Sequence, residues 1–439
     1  MLVYSIPRSI AQVFKDCEHA SSLFALKAFG PIYTRINNPT LAMLESKVTA
    51  LEGGAMGVVT ASGMSAQLLA LTTICKCGDT IVSSPQLYGG TANQFKVLFP
   101  RFGIKVKFTE GITAEDFAKV VEGDDTVKAV YAETAGNPGY NIPDFEGISA
   151  LAKKVGVPFV VDNTFGCAGA LCRPLKHGAD IVVQSLTKWA GGHGTTIGGM
   201  VVDGGSFPWN NGKFPEFTEP SAGYHGLKFW DTFGPDGPLK ANVAFAIRAR
   251  VEGLRDMGMA QTPIGAYLLN MGLETLSLRV ERHSANAEKL AVWLKEHPNV
   301  SWVSHQSLPE HPSHEDAKKY YTEGLYSPML AFGVKGGTEA SRLFIDKVKL
   351  ASHVANVGDA KTLVIAPAIT THEQLTDDEQ AAAGVTKDMV RVSCGIEHIE
   401  DIKADFQQAL EIAAAGVAGN EKEGTAGAAA GGGGEEATS

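Results

Sequence analysis

Short runs of apolar residues, separated by stretches with helical spacing, dominate residues 48–265. The runs are Thr80–Ser83, Val127–Ala132, Pro158–Val161 and Ile181–Val183. They are rich in valine, continuous rather than alternating, and bounded by glycine, aspartate or proline, as strands buried on both faces are. The pattern predicts an α/β domain on a mostly parallel sheet, whose ligands gather at the carboxyl ends of its strands.

The N-terminal residues 1–47 lack this pattern. A polar segment broken by proline, Tyr33–Thr40, predicts a loop. We expect an arm followed by a short helix that begins after Thr40 and exposes Glu45 and Lys47 to solvent.

The C-terminal part of the chain changes character twice. From about residue 266 a helical pattern runs to Glu296, and residues 266–415 predict a smaller α+β domain. Residues 416–439 are rich in Ala, Gly and Glu, and this composition buries too little apolar area to order itself. We therefore expect a disordered tail.

A segment rich in proline and aromatic residues, 203–240, interrupts the α/β pattern. It contains five prolines among Phe, Trp, Tyr and Gly, namely Pro208, Pro215, Pro220, Pro235 and Pro238. Long loops of this composition are usually functional or part of an interface, and we expect one of these roles here.

Composition and charge exclude several classes of protein. The chain is 44% hydrophobic and 20% charged, which is an ordinary globular balance. The formal net charge of −10 argues against a nucleic-acid partner, because binding phosphates needs a basic face. No run approaches the roughly 18 apolar residues of a membrane span, and no secretory signal begins the chain. We expect a cytoplasmic protein without a membrane partner.

Cysteine and histidine usage predicts neither disulfides nor a metal. The six cysteines are too few for a disulfide framework and contain no C-x-x-C spacing, so we expect reduced thiols that pack as small hydrophobes. His305, His311 and His314 cluster between prolines without a regular ligand spacing. We predict no metal site.

A lysine follows one of the predicted buried strands. The segment Ile181–Lys188 contains Ser185 and Thr187 before the lysine, and Gly191–Gly194 follows. A lysine at a strand's carboxyl end can form an imine with an aldehyde cofactor, pyridoxal 5′-phosphate (PLP). The two hydroxyls can bond a phosphate beside it. Taken alone, the lysine is better explained as a solvated surface residue.

A carboxylate at the end of another strand changes this balance. Asp162 precedes Lys188 by 188 − 162 = 26 residues, which leaves room for one crossover and places both on neighbouring strand ends. PLP needs an anion at its pyridine nitrogen to keep that nitrogen protonated. The alternative for Asp162 is a helix N-cap.

Three shorter signals fit the same cofactor. Gly63 and Met64 begin a predicted helix, where backbone N–H groups can bind a phosphate; an ordinary helix cap has the same sequence. Tyr88 can stack on the cofactor ring or pack in a core. Asn137 can bond the ring hydroxyl or form a simple Asn-Pro turn.

An arginine interrupts a β-like run in the smaller domain. Arg391 lies between valines, and its planar guanidinium fits a carboxylate through two hydrogen bonds. The substrate's α-carboxylate is the functional candidate, and a structural ion pair is the alternative.

Taken together, residues 12–415 resemble the Cys/Met-metabolism PLP-dependent enzymes, and among them the O-acetylhomoserine sulfhydrylase branch. The resemblance rests on long motifs: Tyr88-Gly-Gly-Thr-Ala-Asn-Gln-Phe95, Glu133-Thr-Ala-Gly-Asn-Pro138, Val161-Asp-Asn-Thr-Phe165, Ser185-Leu-Thr-Lys-Trp-Ala-Gly-Gly-His-Gly194, Tyr224-His-Gly226, Ala355-Asn-Val-Gly-Asp-Ala-Lys-Thr362 and Arg391-Val-Ser393. It implies the fold-type I PLP-dependent transferase fold, with a large α/β domain and a smaller C-terminal α+β domain. The insertion 203–240 is typical of this branch.

The resemblance implies roles for residues around the cofactor. Lys188 holds PLP as a Schiff base, Asp162 faces the pyridinium nitrogen, and Tyr88 stacks on the ring and takes part in catalysis. Asn137 lies near the ring hydroxyl. The implied phosphate cradle consists of Gly63, Met64, Ser185 and Thr187.

The resemblance also implies a partner subunit and a substrate clamp. Tyr33 and Arg35 match a motif that reaches the phosphate of a neighbouring subunit, which implies a homotetramer built from catalytic dimers. Tyr33 and Arg391 are implied substrate contacts, and Arg391 matches the clamp for the substrate carboxylate. Ala331 stands where relatives commonly have serine near that carboxylate.

The implied reaction is a γ-replacement in which O-acetylhomoserine and sulfide give homocysteine and acetate in methionine and cysteine biosynthesis, with O-acetylserine as a further possible substrate. A cystathionine γ-synthase or γ-lyase on the same scaffold is the alternative enzyme. Gly90 stands where methionine γ-lyases carry cysteine, which argues against the lyase. A catalytically silent homologue that serves as an assembly partner is the alternative from another class. A nucleotide-dependent oxidoreductase would need a G-x-G-x-x-G motif after the first strand, and the sequence has none there.

Overall fold

The computed structural model describes residues 10–136, 139–370, 373, 376, 380 and 384–430. The chain divides into two compact units. The first unit comprises Met1–Asn137, Asn141–Glu281 and Pro312–Tyr326, and the second comprises Pro138–Tyr140, Arg282–His311 and Ser327–Ser439.

The described part of the first unit contains a seven-stranded sheet in the order β1-β7-β6-β5-β4-β2-β3. The strands are β1 Met56–Thr60, β2 Thr80–Ser83, β3 Lys105–Phe108, β4 Val127–Glu133, β5 Phe159–Asp162, β6 Ile181–Ser185 and β7 Gly199–Asp203. Strands β2 to β6 pair in parallel, whereas β7 runs antiparallel to both its neighbours. The predicted α/β fold with a mostly parallel sheet is therefore confirmed.

Both units contain helices. In chain order they are α1 Cys17–Phe24, α2 Pro39–Glu52, α3 Gly63–Ile74, α4 Gly89–Asn93, α5 Ala114–Val121, α6 Phe145–Val155, α7 Pro215–Thr218, α8 Phe229–Phe233, α9 Ala244–Arg248, α10 Arg255–Met257, α11 Pro263–Leu273, α12 Leu276–Lys295, α13 His314–Tyr320, α14 Gly337–Lys347 and α15 Ile399–Ala430. The single helical pattern expected to start near residue 266 is two helices. The division between the units falls inside the second of them, after Glu281, and not at residue 266.

Helix α2 shows how local sequence signals set the ends of an element. Asn38 caps its first turn by accepting a hydrogen bond from the Thr40 N–H at 2.9 Å, and Gly53 ends it in a left-handed conformation with φ of 79°. The expectation that Glu45 is exposed was wrong. Glu45 is buried, accepts from the Val59 N–H at 3.0 Å and pairs with Arg250 at 2.8 Å.

The aromatic insertion 203–240 contributes to the core of the first unit. Trp209 stacks on Phe217 with ring centroids 4.4 Å apart and on Phe245 at 5.5 Å. Trp209, Phe214 and Phe217 are all fully buried. Burying a side chain of this size contributes roughly 1.5–3 kcal/mol. The aromatic residues that suggested a functional loop or an interface therefore pack in the core and stabilise the first unit.

The second unit contains its own five-stranded sheet among the described residues, in the order β10-β11-β12-β9-β8. Its strands are β8 Val300–Ser304, β9 Met329–Val334, β10 Ser352–His353, β11 Leu363–Ile365 and β12 Met389–Ser393. Phe332, Phe344 and Phe406 pack together, with ring centroids 5.1–6.2 Å apart. In the predicted histidine cluster, the ring nitrogens of His305 bond to Ser307 and Ser327.

The C-terminal helix is longer than the sequence suggested. Helix α15 continues to Ala430, through residues 416–430 of the segment expected to be a disordered tail, while 431–439 lie outside the described residues. Extending an existing helix needs no new nucleus, and Ala, Glu and Lys favour helix. In the part of the chain that the structure describes, no helix combines the length and hydrophobicity needed to cross a bilayer.

Candidate active site

Three neighbouring parallel strands of the first unit end in polar residues. Glu133 ends β4, Asp162 ends β5 and Ser185 ends β6. Glu133 lies opposite Asp162 in the register, and Asp162 lies opposite Val183. Lys188 follows directly in the loop after β6. The sequence-based expectation that Asp162 and Lys188 follow adjacent strands therefore agrees with the sheet.

Asp162 is held in place by a tight local turn. Its Oδ1 accepts hydrogen bonds from the N–H of Thr164 at 2.8 Å and from the Thr164 hydroxyl at 2.6 Å. Burial raises the pKa of Asp162 to about 6, against the opposing effect of these two bonds. Among the described residues none donates to Oδ2. That oxygen can therefore accept a further N–H donor.

Thr164 is a residue of the site that the sequence analysis missed. Its hydroxyl donates to Asp162 and accepts from the backbone N–H of Ser185 at 2.9 Å, so it joins the ends of β5 and β6. The available signal was the Asp-x-Thr spacing, because an Asp side chain often bonds to the residue two positions later.

The first turn of α3 lies against the end of β6. Ser62 caps this helix, and its hydroxyl accepts from the Ser65 N–H at 3.1 Å. A Cβ atom added to Gly63 would lie 2.7 Å from Cβ of Ser185, so only glycine allows this approach. The N–H groups of Gly63 and Met64 have no acceptor within the helix. They form, beside the Ser185 side chain, the kind of cradle that binds phosphate.

The loop after β6 is fixed through its backbone. Thr187 Oγ1 accepts from the N–H of Gly198 at 3.0 Å and donates to the carbonyl of Gly198 at 3.2 Å. The carbonyl of Lys188 accepts from the N–H of Gly192 at 2.7 Å. Lys188 is partly exposed, so its side chain is neither buried in the core nor fully solvated.

A second residue that the sequence analysis missed, Arg279 of α12, braces this loop. Its guanidinium donates to the carbonyls of Trp189 at 2.7 Å and Ala190 at 3.4 Å, the two residues after Lys188. It also donates to the carbonyl of Gly272 at 2.7 Å. Arg279 is 4% exposed. Nothing in the helical pattern around it distinguished a buried arginine from a solvated one.

Tyr88 lies beside the end of β4. Its backbone N–H donates to Oε1 of Glu133 at 2.8 Å, and its side chain is 54% exposed. A Cβ added to Gly90 would lie 2.4 Å from Cε1 of Tyr88. The phenol ring of Tyr88 therefore fills the space that the side chain of any residue larger than glycine at position 90 would need. An exposed ring at the strand ends is available for stacking, and the alternative of a core tyrosine does not describe it.

Comparison with known proteins identifies the family. The sequence profile of the Cys/Met metabolism PLP-dependent enzymes matches residues 2–411. The chain belongs to this family.

Individual relatives are similar in sequence to this chain over most of their length. The chain is 56% identical over 403 residues to a homocysteine synthase of Schizosaccharomyces pombe, covering 91% of this chain and 92% of that one. It is 53% identical over 399 residues to O-acetyl-L-homoserine sulfhydrylase 1 of Thermus thermophilus, covering 91% and 92%. A crystal structure from Campylobacter jejuni, described as an O-acetylhomoserine (thiol)-lyase with N′-pyridoxyl-lysine-5′-monophosphate, superposes with a TM-score of 0.87 at 37% identity, covering 93% and 95%.

The protein is therefore a PLP-dependent enzyme, and its residues fit that cofactor. The cradle of Gly63 and Met64 suits the phosphate, because it presents N–H groups and excludes a Cβ. The unused Oδ2 of Asp162 suits the pyridinium N–H. Asn137, the predicted partner of the ring hydroxyl, lies outside the described residues.

The two residues predicted to serve a neighbouring subunit of this PLP-dependent enzyme lie together at the surface. Arg35 stacks on the ring of Tyr33, with 5.6 Å from guanidinium carbon to ring centroid, and donates to the carbonyl of Arg255. Tyr33 is 38% exposed. Within one chain these side chains contact each other and Arg255. The hydrogen bond from Arg255 lowers the pKa of Asp256, and the charge of Arg35 adds to this effect. The single chain does not test their predicted role.

Arg391 belongs to the second unit. It lies in β12, opposite Ala331 of β9 and Ile365 of β11, and is buried. Burial raises the pKa of Tyr140, and the positive charge of Arg391 opposes this rise. The guanidinium therefore lies near the Tyr140 hydroxyl within that unit.

Proposed function

We propose that this enzyme replaces the acetyl ester of O-acetylhomoserine with sulfide, releasing homocysteine and acetate. The observation that carries this proposal is the 56% identity to a homocysteine synthase over 91% of the chain. The arrangement of the first unit supports it, because Gly63 packs closely on Ser185, and Asp162 and Lys188 follow neighbouring parallel strands.

The cofactor would be held at both ends. We assign covalent attachment to Lys188, the phosphate to Gly63 and Met64, and the pyridinium nitrogen to Oδ2 of Asp162. Ser185 and Thr187 complete the phosphate site, Tyr88 covers the ring, and Asn137 reaches the ring hydroxyl. When bound, PLP withdraws electrons from the substrate and so makes its Cα and Cβ protons removable.

The chain's own residues then move protons and hold charge. The amine of Lys188, once released, takes the proton from Cα of the substrate. Asp162 stays ionised and keeps the proton on the pyridinium nitrogen. A second proton is then lost from Cβ, the C–O bond at Cγ breaks, and acetate leaves with the electron pair. Hydrosulfide then forms the new C–S bond at Cγ, and protons return to Cβ and Cα.

The finer assignments concern substrate and assembly. Arg391 would bind the substrate carboxylate through two hydrogen bonds, with Ala331 beside it on β9. Tyr33 and Arg35 would reach the phosphate site of a neighbouring subunit, in a homotetramer built from catalytic dimers. The six cysteines all lie in the described part of the chain and are free thiols, which suits a reducing compartment such as the cytoplasm.

A direct assay tests the proposal. Purified protein with PLP is given O-acetylhomoserine and either sulfide or cysteine, and homocysteine, cystathionine and 2-oxobutyrate are measured. Homocysteine as the main product supports the proposal. Cystathionine would identify a cystathionine γ-synthase, and 2-oxobutyrate without an added thiol would identify a γ-lyase. The Lys188→Ala variant should lose the visible absorbance of the bound cofactor and turnover, whereas Lys96→Ala, at an exposed lysine, should keep both.

One relative favours a second substrate. The chain is 52% identical over 416 residues to a homocysteine/cysteine synthase of Saccharomyces cerevisiae. We therefore propose that O-acetylserine is also accepted, giving cysteine with sulfide. Formation of cysteine from O-acetylserine at a rate below one thousandth of homocysteine formation would rule this out.

A further inference from the structure

Glu52, the last residue of α2, is a fully buried acid that takes no part in the proposed reaction. It is 0% exposed, and among the described residues it forms no ion pair. Burying a carboxyl group without a cation costs stability, and an apolar side chain would fill the same space at a lower cost. The presence of an acid at this position therefore needs a reason other than packing.

The carboxyl group of Glu52 accepts hydrogen bonds from two buried side-chain amides. Nδ2 of Asn163 lies 3.0 Å from Oε1 and 2.9 Å from Oε2, and Nε2 of Gln184 donates to Oε1 at 2.9 Å. Burial raises the pKa of Glu52, and these hydrogen bonds and the more distant charge of Arg173 oppose the rise. Hydrogen bonds, not an ion pair, therefore hold the acid in place.

The orientation of the Asn163 amide is set by two further groups. The carbonyl of Cys172 can only accept, and it lies 2.9 Å from Nδ2. Oδ1 of Asn163 then accepts from the hydroxyl of Thr134 at 2.6 Å. The backbone N–H of Thr134 donates to the carbonyl of Asp162 at 2.9 Å. Since both ends of the amide are fixed, its nitrogen is the donor in the bond with Glu52.

Both amides are adjacent in sequence to residues that we assign to the cofactor. Asn163 follows Asp162, and Gln184 precedes Ser185. The pairing of β5 and β6 continues past Asp162 through the N–H of Asn163. Because side chains alternate along a strand, the two amides lie on the face of the sheet opposite Asp162 and Ser185. The carboxyl group of Glu52 therefore joins the ends of β5 and β6 on that opposite face.

The loop that begins at Asn163 has a strained backbone. Cys167, Ala168 and Gly169 are three successive residues in the left-handed region, with φ of 56°, 51° and 80°. A Cβ added to Gly169 would lie 2.4 Å from the carbonyl oxygen of Leu51, so this turn packs directly on the end of α2. Such strain persists only where the surrounding structure fixes it, and it concentrates at functional sites. It is a second, independent sign that the segment after β5 is held in one position.

We propose that Glu52 is a positioning residue that fixes the ends of β5 and β6 relative to each other and so sets the distance from Asp162 to the phosphate cradle at Ser185. This inference rests on the proposed function for the roles of those two residues. The ring of PLP is rigid, so its pyridinium nitrogen and its phosphate can both be bound only at one spacing of the two strand ends.

The Glu52→Met variant tests this role in the holoenzyme. Methionine has a similar volume but accepts no hydrogen bond from the two amides. Absorbance titration should give a PLP dissociation constant raised roughly 10-fold, and the apparent pKa read from the visible absorbance of the cofactor should move by about half a unit or more. Turnover at saturating PLP should fall about 10-fold, while KM for O-acetylhomoserine stays within about twofold. Glu52→Gln keeps an acceptor oxygen for both amides and should recover most of each change.

The matched control is Leu44→Ala, at a buried residue about two turns earlier on α2. It should lower the urea midpoint of unfolding and leave both absorbance measurements at their wild-type values. Equal shifts in Leu44→Ala and Glu52→Met would show general destabilisation and overturn the inference, as would a Glu52→Gln variant that recovers nothing. If Glu52→Met does not fold, Gln184→Met removes a single hydrogen bond and should give smaller shifts in the same direction; wild-type values from it would overturn the inference.

Asp162→Asn separates this inference from the proposed function. It removes the anion at the pyridinium nitrogen and should move the apparent pKa of the cofactor absorbance. Wild-type values for Glu52→Met beside a shifted Asp162→Asn would refute the positioning role alone, whereas an unshifted Asp162→Asn would refute the cofactor assignments on which it depends. A main product other than homocysteine would refute the proposed function, while the absorbance titrations need only the cofactor and would still report on Glu52.

Discussion

Replacing Arg279 with methionine should loosen the loop that carries Lys188. Its guanidinium donates to the carbonyls of Trp189 and Gly272, each at 2.7 Å, and its Nε donates to the Thr275 hydroxyl at 3.1 Å. A Cβ added to Gly192 would lie 2.0 Å from Nη1 of Arg279. The loop is therefore shaped around the guanidinium, and methionine fills the stem of the cavity without replacing the donors.

The size of the effect follows from the carbonyls left behind. A buried carbonyl that loses its donor costs about 1–3 kcal/mol, and the two short bonds go to Trp189 and Gly272. Partial relaxation and access of water reduce the sum. We expect Arg279→Met to lower the free energy of unfolding by roughly 3–4 kcal/mol. Arg279→Lys keeps the charge but reaches fewer carbonyls, so about half of this loss should remain.

Equilibrium urea unfolding of the holoenzyme, followed by circular dichroism, measures these differences. The matched control is Arg282→Met, an exposed arginine on the same helix, which should change the free energy of unfolding by less than about 0.5 kcal/mol. A loss below about 1 kcal/mol for Arg279→Met would show that the loop holds its shape without the guanidinium. An Arg279→Lys variant as stable as the wild type would show that charge, not the planar fork, is what matters.

Three other perturbations have defined outcomes. Gly63→Ala should weaken PLP binding roughly 10-fold or more, because its Cβ would lie 2.7 Å from Cβ of Ser185. Absorbance titration measures this, and the control is Gly223→Ala, whose Cβ would make an ordinary contact with Ser221 Oγ at 3.8 Å. Burial raises the pKa of Glu52 to about 8, above its value in the unfolded chain. Protonated Glu52 therefore stabilises the fold fully at low pH, and this contribution to the free energy of unfolding is lost as the pH rises to about 8. Unfolding of Glu52→Gln across this range should therefore show a flatter pH dependence than the wild type, by up to roughly 4 kcal/mol; parallel curves would contradict the assignment. Arg250→Met should cost about 3–5 kcal/mol, because it leaves Glu45 buried without its cation, and a double variant with Glu45→Met should recover much of this loss in the same unfolding assay.

The part of the site that could be predicted from sequence is the part fixed by strand ends. Continuous valine-rich runs mark strands buried on both faces, and in a parallel sheet all their carboxyl ends meet at one edge. This is why the sequence alone could place Asp162 and Lys188 at the ends of adjacent strands. The neighbours Thr164 and Arg279 could not be found, because their roles depend on which backbone groups lie within 3 Å.

Burial on one face of a helix was harder to predict. A glutamate among polar neighbours normally faces solvent. The sequence near Glu45 contains no signal that Arg250, about 200 residues later, pairs with it inside the fold. The aromatic insertion misled for the opposite reason. Its Phe and Trp residues are numerous enough to suggest an exposed interface, yet Trp209, Phe214 and Phe217 complete the core of the first unit.

The two acids at the ends of β4 and β5 illustrate how position alone separates their chemistry. Asp162 receives two hydrogen bonds from Thr164, which stabilise its ionised form against burial and leave its pKa at about 6. Glu133 receives one, from the N–H of Tyr88, and its burial and the neighbouring Asp162 raise its pKa well above the usual range. The two acids therefore differ in how far their surroundings stabilise the charged form, although they lie side by side. The hydrogen bonds from Thr164 make Asp162 the better supported anion at this edge of the sheet, and an anion is what a protonated pyridine ring requires.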